Sequence, residues 1–222
     1  MADYTVPERQ HVVLVTSDLQ RDFLEPNSPL TRCSAGRCIG QCATVVSAFR
    51  RAGLPIYHSV RFFLPDGSNV ERSRRQAVEE GMRVLMPGTS GAELVDGIAP
   101  DGHKRLNALK LLEGDAQELG PNEWAFCKPR WGAFYSTRLD EYVRKGSATT
   151  VVVIGSDFEC GVRPTVYEAC ARDYRVIVVP DAAGCQVDDI ALNQLGRLGV
   201  YLIGADALSL WLANPRSEQG VA

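Results

Sequence analysis

The chain has 222 residues, of which 45% are hydrophobic and 23% are charged, so it can bury one sizeable core. Its 24 Lys and Arg residues against 27 Asp and Glu residues give a net charge of −3, which excludes a general attraction to nucleic acid or to anionic membranes. We therefore expect a small molecule as the partner, and neither nucleic acid nor a membrane.

The chain also lacks the usual signals for export. No apolar run approaches the roughly 18 residues of a membrane span, and the first ten residues lack the apolar core of a signal peptide. The seven cysteines are an odd number spread through the sequence, which favours reduced thiols over a disulfide framework. We expect a cytoplasmic protein.

Short β-branched runs alternate with helix-length polar segments. The predicted elements are, in chain order, a strand at 11–17, a helix at 42–53, a strand at 54–62, an irregular region at about 63–122, a strand at 124–128, a helix at 137–146, a strand at 149–155, a helix at 164–174, a strand at 175–181 and a strand at 199–208. This alternation predicts a three-layer α/β/α fold with a doubly wound, mostly parallel sheet of about six strands. No repeat or linker interrupts it, so we expect residues 1–222 to form a single domain.

Metal-ligand spacing is weak in this sequence. Three cysteines are spaced as C-x4-C-x3-C, at Cys33, Cys38 and Cys42, without the C-x2-C spacing of zinc sites and without a fourth ligand nearby. The three histidines are scattered along the chain, at His11, His58 and His103. We expect neither a functional metal nor another cofactor.

Residues of catalytic type follow three of the predicted strands. Asp18 follows the strand at 11–17, Lys128 ends the strand at 124–128, and Cys160 lies just beyond the strand at 149–155. Ligands of doubly wound sheets bind beyond the carboxyl ends of the strands. A carboxylate, an ammonium and a thiol are therefore expected to converge at one edge of the sheet.

Three segments carry a resemblance to a known family, and they read SDLQRDFL (17–24), KPRWGAFYSTRL (128–139) and VVVIGSDFECGVRPTVYEACARDYRVIVVPDAAG (151–184). Together they resemble the isochorismatase-like hydrolase superfamily, which includes cysteine amidohydrolases, over about residues 11–207. The resemblance implies that Asp18 is the catalytic carboxylate and Lys128 the catalytic lysine. We also expect a homo-oligomer, either a dimer or a tetramer.

The resemblance further implies hydrolysis of a C–N bond in a small amide, ureide or lactam through a cysteine thioester. Cys160 would be the nucleophile, with Lys128 and the following helix N-terminus favouring its thiolate. Asp18 would take the thiol proton and hand it to the departing amine. The backbone N–H groups of Ser156 and Cys160 would form the oxyanion hole, shaped by a cis peptide bond between Gly155 and Ser156.

The register of the elbow leaves the nucleophile open. Aligned on Gly155 without gaps, the family's cysteine position falls on Gly161, one residue after Cys160. Thr165 then matches the Ser or Thr that follows the cysteine position by four residues in the family. Either a compensated shift lets Cys160 act as the nucleophile, or Gly161 replaces it. True isochorismatases carry glycine there, and their aspartate protonates a vinyl ether that water then hydrolyses. A third alternative is an inactive member that serves as a binding or assembly module.

Substrate-binding residues are predicted on two segments. Metal-dependent nicotinamidases carry D-x-H after the second strand, where this chain has RFF (61–63), so we expect no nicotinamide deamidation. A cationic entrance for a carboxylate substrate, or else a solvated charged loop, is predicted from Arg61, Arg72, Arg74, Arg75 and Arg83, with Arg61 the best single candidate. The pocket is expected to be lined by Trp131, Phe134 and Tyr135, with Gly161 beside them.

Overall fold

The structure, a computed structural model, describes residues 3–31, 35–102, 105–184 and 187–214. The strands in this part of the chain are β1 (Val12–Ser17), β2 (Ile56–Val60), β3 (Gln117–Gly120), β4 (Glu123–Cys127), β5 (Thr150–Gly155), β6 (Arg175–Val178) and β7 (Tyr201–Leu202). The α-helices there are α1 (Arg21–Leu24), α2 (Ala35–Ala52), α3 (Arg72–Glu79), α4 (Ala108–Leu112), α5 (Leu139–Lys145), α6 (Arg163–Cys170), α7 (Asp189–Arg197) and α8 (Ala205–Ala213).

The seven described strands form one sheet in the order β3-β4-β2-β1-β5-β6-β7. All neighbours pair in parallel except β3, which runs antiparallel to β4. The chain continues from β1 to one side and returns at β5 on the other, so the order of strands switches between β1 and β5. The carboxyl ends of these two central strands are therefore where a ligand site is expected.

Both faces of the sheet are covered by apolar helices. Along β1, Val12 and Leu14 pack on the face covered by α2 and α8, whereas Val13 and Val15 pack on the face covered by α5, α6 and α7. Strands buried on both faces read as continuous apolar runs, which is why β1 and β5 are so uniformly hydrophobic. The predicted three-layer α/β/α fold is confirmed.

Several boundaries and elements differ from the prediction. Seven strands rather than six are present in the described chain, because the region expected to be irregular supplies the edge strand β3. The predicted strand at 199–208 is wrong beyond Leu202, since α8 begins at Ala205. The carboxylate of Asp181 accepts the Ala205 N–H at 3.1 Å and so satisfies one open donor of this helix end. None of the described helices combines the length and apolarity needed to cross a bilayer.

A partly buried ion pair ties α2 to β4, the strand next to the sheet edge. The carboxylate of Glu123 accepts from Arg50 at 2.6 and 2.9 Å and lies 2.7 Å from Nε2 of His58. His58 is in turn 2.8 Å from the hydroxyl of Thr16. Burial raises the pKa of Glu123, but the hydrogen bonds with Arg50 and His58 outweigh burial and lower the pKa to about 2.

This shift predicts an acid-sensitive contribution to stability. Because the folded-state pKa of Glu123 lies below its ordinary value of 4.5, the contribution is present above that value and is lost as the pH falls toward 2. We expect the free energy of unfolding of the wild type to fall by roughly 2 kcal/mol more than that of Glu123→Gln between about pH 5 and pH 3. Urea unfolding at several pH values measures the difference, with the exposed Glu118→Gln as the control. Equal pH slopes for the wild type and Glu123→Gln would contradict the prediction.

Candidate active site

Asp18 and Lys128 form a buried ion pair at the carboxyl edge of the sheet. Asp18 directly follows β1 and Lys128 directly follows β4, and their backbone N–H groups donate to the carbonyls of Ser59 and Val60, both at 2.9 Å. Oδ2 of Asp18 lies 2.7 Å from Nζ of Lys128. The two residues are only 4% and 1% exposed, so their mutual attraction is weakly screened by solvent.

The backbone of Asp18 is in an unusual conformation. Its φ of 59° lies in the left-handed region, which costs a non-glycine residue about 1–2 kcal/mol, and which Asp tolerates better than most. Oδ1 of the same carboxylate is buried and has no hydrogen-bond partner among the described residues. A strained backbone that presents an unpaired carboxylate oxygen is typical of a functional site.

The Lys128 ammonium has an acceptor for each of its three protons. Besides Asp18, Nζ donates to Oγ of Ser17 and to the carbonyl of Trp131, each at 2.7 Å. Burial lowers the pKa of Lys128, while the carboxylate of Asp18 opposes that shift. An ammonium with all of its donors used acts as a fixed counterion for Asp18.

Helix α6 positions the loop after Lys128 against the elbow after β5. The hydroxyl of Thr165 donates to the carbonyl of Gly161 at 2.8 Å and accepts the Ala133 N–H at 3.0 Å. The Glu168 carboxylate accepts the Phe134 N–H at 2.8 Å. The two segments that carry the candidate chemistry are therefore held together by one short helix.

The elbow itself is a single turn of π-helix at Phe158–Val162. The carbonyl of Asp157 accepts from the N–H groups of Gly161 at 3.2 Å and Val162 at 3.1 Å, and its side chain caps the Cys160 N–H at 2.8 Å. Such turns insert one extra residue into a helix and are frequent at functional sites.

Gly161 is the elbow residue that faces the ion pair. A Cβ atom added to Gly161 would lie 2.5 Å from Oγ of Ser17 and 3.2 Å from Oδ2 of Asp18. Neighbouring residues of a helical turn point in different directions, about 100° apart in an α-helix, so position 160 does not share the direction of position 161. The geometry favours Gly161 at the nucleophile position, and Cys160 as nucleophile stays a prediction.

Comparison with known proteins agrees with this fold and these segments. The family model of the isochorismatase domain matches residues 114–204. A "probable inactive nicotinamidase" of Arabidopsis thaliana is 30% identical over 184 residues, which cover 82% of this chain and 84% of the relative. The chain belongs to the isochorismatase-like hydrolase family.

Two further members of the family are similar to this chain. A ureidoacrylate amidohydrolase of Methylobacterium radiotolerans is 26% identical over 187 residues, covering 76% of this chain and 65% of that protein. The crystal structure of N-carbamoylsarcosine amidase from Thermoplasma acidophilum superposes with a TM-score of 0.67 at 28% identity, covering 88% and 96% of the two chains. The predicted family is thereby confirmed.

The two N–H groups predicted for the oxyanion hole both have acceptors in this structure, so the predicted hole stays a prediction. The Ser156 N–H donates to the carbonyl of Ser17 at 3.0 Å, and the Cys160 N–H donates to the side chain of Asp157. Both donors are therefore already used within the protein.

The expected cis peptide bond between Gly155 and Ser156 is wrong, because the structure shows no cis peptide bond in the described residues. Instead Ser156 continues the parallel ladder of β5 toward β1 through its bond to Ser17. Gly155 allows this close approach, since a Cβ atom there would lie 2.6 Å from the Ser17 carbonyl oxygen.

Arg61 does not form the open cationic entrance that was expected. It is only 2% exposed, and both terminal nitrogens of its guanidinium bind the carboxylate of Glu71, which also pairs with Arg74. Arg75 and Arg83 donate to backbone carbonyls of their own loop. The Glu71 carboxylate thus balances the charge of Arg61, while Arg72 is exposed and a role of these arginines toward a substrate stays a prediction.

The aromatic residues after Lys128 divide between core and surface. Phe134 is 2% exposed and stacks on Tyr174 with ring centroids 6.0 Å apart, so it packs in the core, and its predicted substrate contact stays a prediction. Trp131 and Tyr135 are 41% and 54% exposed on the same loop, and their substrate contact stays a prediction. Apolar packing against α6 explains why Phe134 turns inward.

The cysteine-rich segment packs as core within the described part of the chain. The sulfur atoms of Cys38 and Cys42 lie 3.6 Å apart and contact backbone carbonyls of the sheet side. The hydrogen bond with Cys38 and burial together raise the pKa of the Cys42 thiol. Among the described residues no group of three or more His, Cys, Asp or Glu could hold a metal ion. Cys33 and His103 lie outside the described residues.

A small pocket of about 170 Å³ adjoins the site on the Lys128 side. Its lining includes Arg61, Phe62, Leu111, Cys127, Lys128 and Ser136. Burial raises the pKa of the Cys127 thiol to about 11, so this cysteine is a poor nucleophile at neutral pH.

The sequence analysis missed Ser17 and the carbonyl of Trp131, the two further acceptors of the Lys128 ammonium. A signal for Ser17 was available, because it is a polar residue at the carboxyl end of an otherwise apolar strand, next to Asp18. No sequence signal marks a backbone carbonyl.

Proposed function

We propose that this chain hydrolyses the C–N bond of a small amide, ureide or lactam with water as the nucleophile. Asp18 would move the proton, and Lys128 would be its buried counterion. The observation that carries the proposal is the 2.7 Å ion pair beside Gly161, whose carboxylate keeps one buried oxygen without a partner among the described residues.

The proposed steps use the groups already present. Oδ1 of Asp18 takes a proton from a water molecule as the water oxygen attacks the carbonyl carbon of the substrate. The same proton then passes from Asp18 to the departing nitrogen, which breaks the C–N bond and releases the amine. The Lys128 ammonium stays charged throughout and remains the counterion of the Asp18 carboxylate.

Two relatives support an amide-type substrate by their names, the ureidoacrylate amidohydrolase and N-carbamoylsarcosine amidase. The relative named as a probable inactive nicotinamidase agrees with our expectation that nicotinamide is not the substrate. The name of this relative is also compatible with the alternative that the chain is a non-catalytic member of the family. Turnover by the wild type that is largely lost in the Asp18 variant described below would separate these two possibilities.

A second candidate function is favoured by Gly161. True isochorismatases resemble this chain in carrying glycine at the nucleophile position, and in them the aspartate protonates a vinyl ether. Asp18 could perform that protonation with the same ion pair. The two functions differ in their products, since amide hydrolysis releases ammonia or an amine and vinyl ether hydrolysis releases a carbonyl compound.

The proposal is tested with a panel of small amides, ureides, lactams and vinyl ethers. We expect release of ammonia or an amine from at least one nitrogen substrate by the wild type, and none by Asp18→Asn. Release of a carbonyl compound from a vinyl ether alone would replace the first function by the second. Turnover that is the same in both proteins would contradict either role for Asp18.

The water mechanism predicts that the Cys160 thiol is dispensable. Because position 161 and not 160 faces the ion pair, we expect Cys160→Ser to retain at least about half of the wild-type turnover. Intact-mass measurements during turnover should show no acyl adduct. An adduct on Cys160, together with a nearly inactive Cys160→Ser protein, would restore the thiol mechanism.

A further inference from the structure

Ser17 lies between the two members of the ion pair. Its hydroxyl accepts a hydrogen bond from Nζ of Lys128 at 2.7 Å and donates one to Oδ2 of Asp18 at 3.2 Å. The residue is fully buried at the end of β1. Its hydroxyl is thus fixed by a charged partner on each side, and charge-assisted hydrogen bonds of this kind are stronger than neutral ones.

The same hydroxyl fills the space beside Gly161. A Cβ atom at Gly161 would be 2.5 Å from Oγ of Ser17, well inside van der Waals contact. The φ angle of Gly161 is outside the left-handed region, so the backbone there does not require glycine. Space, and not backbone conformation, is what a side chain at position 161 lacks.

We propose that Ser17 is a positioning residue of this site, and that its hydroxyl takes the place of a nucleophilic side chain at position 161. As an acceptor of Lys128 it uses the ammonium proton that could otherwise pair with a thiolate. As a neighbour of Gly161 it excludes any side chain there. Ser17 and Gly161 together would commit the site to an external nucleophile, namely water, which rests on the function proposed above.

The steric part of the proposal is tested by a cycle of melting temperatures. Gly161→Ala should lower the melting temperature by at least about 4 °C, and the same change made in a Ser17→Ala background should lower it by less than half as much. Gly196→Ala is the matched control, since Gly196 is a helical glycine with nothing within 4 Å of an added Cβ. That change should leave the melting temperature unchanged or raise it.

The electrostatic part is tested by a thiol introduced at position 161. In Ser17→Ala/Gly161→Cys, Lys128 regains a free donor for the new thiolate. The pH at which the labelling rate of this thiol is half-maximal should therefore lie at least about one unit below the ordinary cysteine pKa of about 8.5. In Gly161→Cys with Ser17 kept, iodoacetamide labelling of position 161 at pH 7 should be at least about tenfold slower. Peptide mapping by mass spectrometry assigns the label to position 161.

Both readouts are independent of any substrate. A missing activity in the panel would defeat the proposed function and leave the thermal cycle and the labelling rates as tests of Ser17. A loss of melting temperature by Gly161→Ala that is relieved in the Ser17→Ala background would support the proposal. If removing the hydroxyl relieves neither the thermal loss nor the slow labelling, Ser17 does not occupy the nucleophile's place and the proposal is wrong.

Discussion

Replacing Asp18 by asparagine is expected to lower turnover by at least about 10³-fold while the protein stays folded. Asn keeps the shape of the side chain and also tolerates the left-handed φ of 59° that this position requires. It cannot take a proton from water or return one to a leaving group. Steady-state rates on the best substrate of the panel, with circular dichroism of the same samples, measure both parts of the prediction.

The matched control for this variant is Asp96→Asn. Asp96 is a surface carboxylate whose side chain is 90% exposed and pairs with Arg21, so its loss should change turnover by less than about twofold. A folded Asp18→Asn protein with near-normal turnover would remove the proton-transfer role, whatever the nucleophile. If Asp18→Asn does not fold, Asp18→Glu takes its place as the test. Glutamate keeps the charge but moves the carboxylate, so this variant should also lose most turnover.

Replacing Lys128 by methionine is expected to reduce turnover by at least about 10²-fold, with a smaller change in KM. Methionine fills a similar volume but leaves the buried carboxylate of Asp18 without its 2.7 Å counterion. An unpaired charge in such a place is costly, so the Asp18 carboxylate loses the environment in which it would transfer a proton. The exposed Lys145→Met in α5 is the control and should behave as the wild type. A change confined to KM would show that Lys128 binds substrate instead.

The pH profile of the wild type tests the same residue. Because burial lowers the pKa of Lys128, its ammonium is lost at a lower pH than the ordinary 10.5. Activity that depends on this charge should therefore fall with rising pH before 10.5 is reached. Lys128→Met should show no such alkaline limb in its residual activity. An identical limb in the variant would assign it to another group.

The strands of the sheet were predictable because each buried strand is an apolar run with few alternatives. β1 and β5 are recognisable from sequence letters alone, and their boundaries were placed within a residue or two. The start of the last helix was not predictable in this way. Helix α8 begins where the Asp181 carboxylate accepts the Ala205 N–H, and these two residues are 24 positions apart in the sequence. A contact of that separation leaves no local signal, so the short apolar run before it was extended too far.

The sequence by itself determined the fold class and the pairing of Asp18 with Lys128. Both residues end strands of a parallel sheet, and such ends meet at one edge whatever the loops do. Only the tertiary structure decided the rest of the site, because a helical turn rotates by about 100° per residue and the π-turn at Phe158–Val162 alters the count. That rotation places Gly161 against the ion pair, and the Ser17 hydroxyl occupies the remaining space. The adjacent letters of Cys160 and Gly161 do not show which of the two residues faces the ion pair.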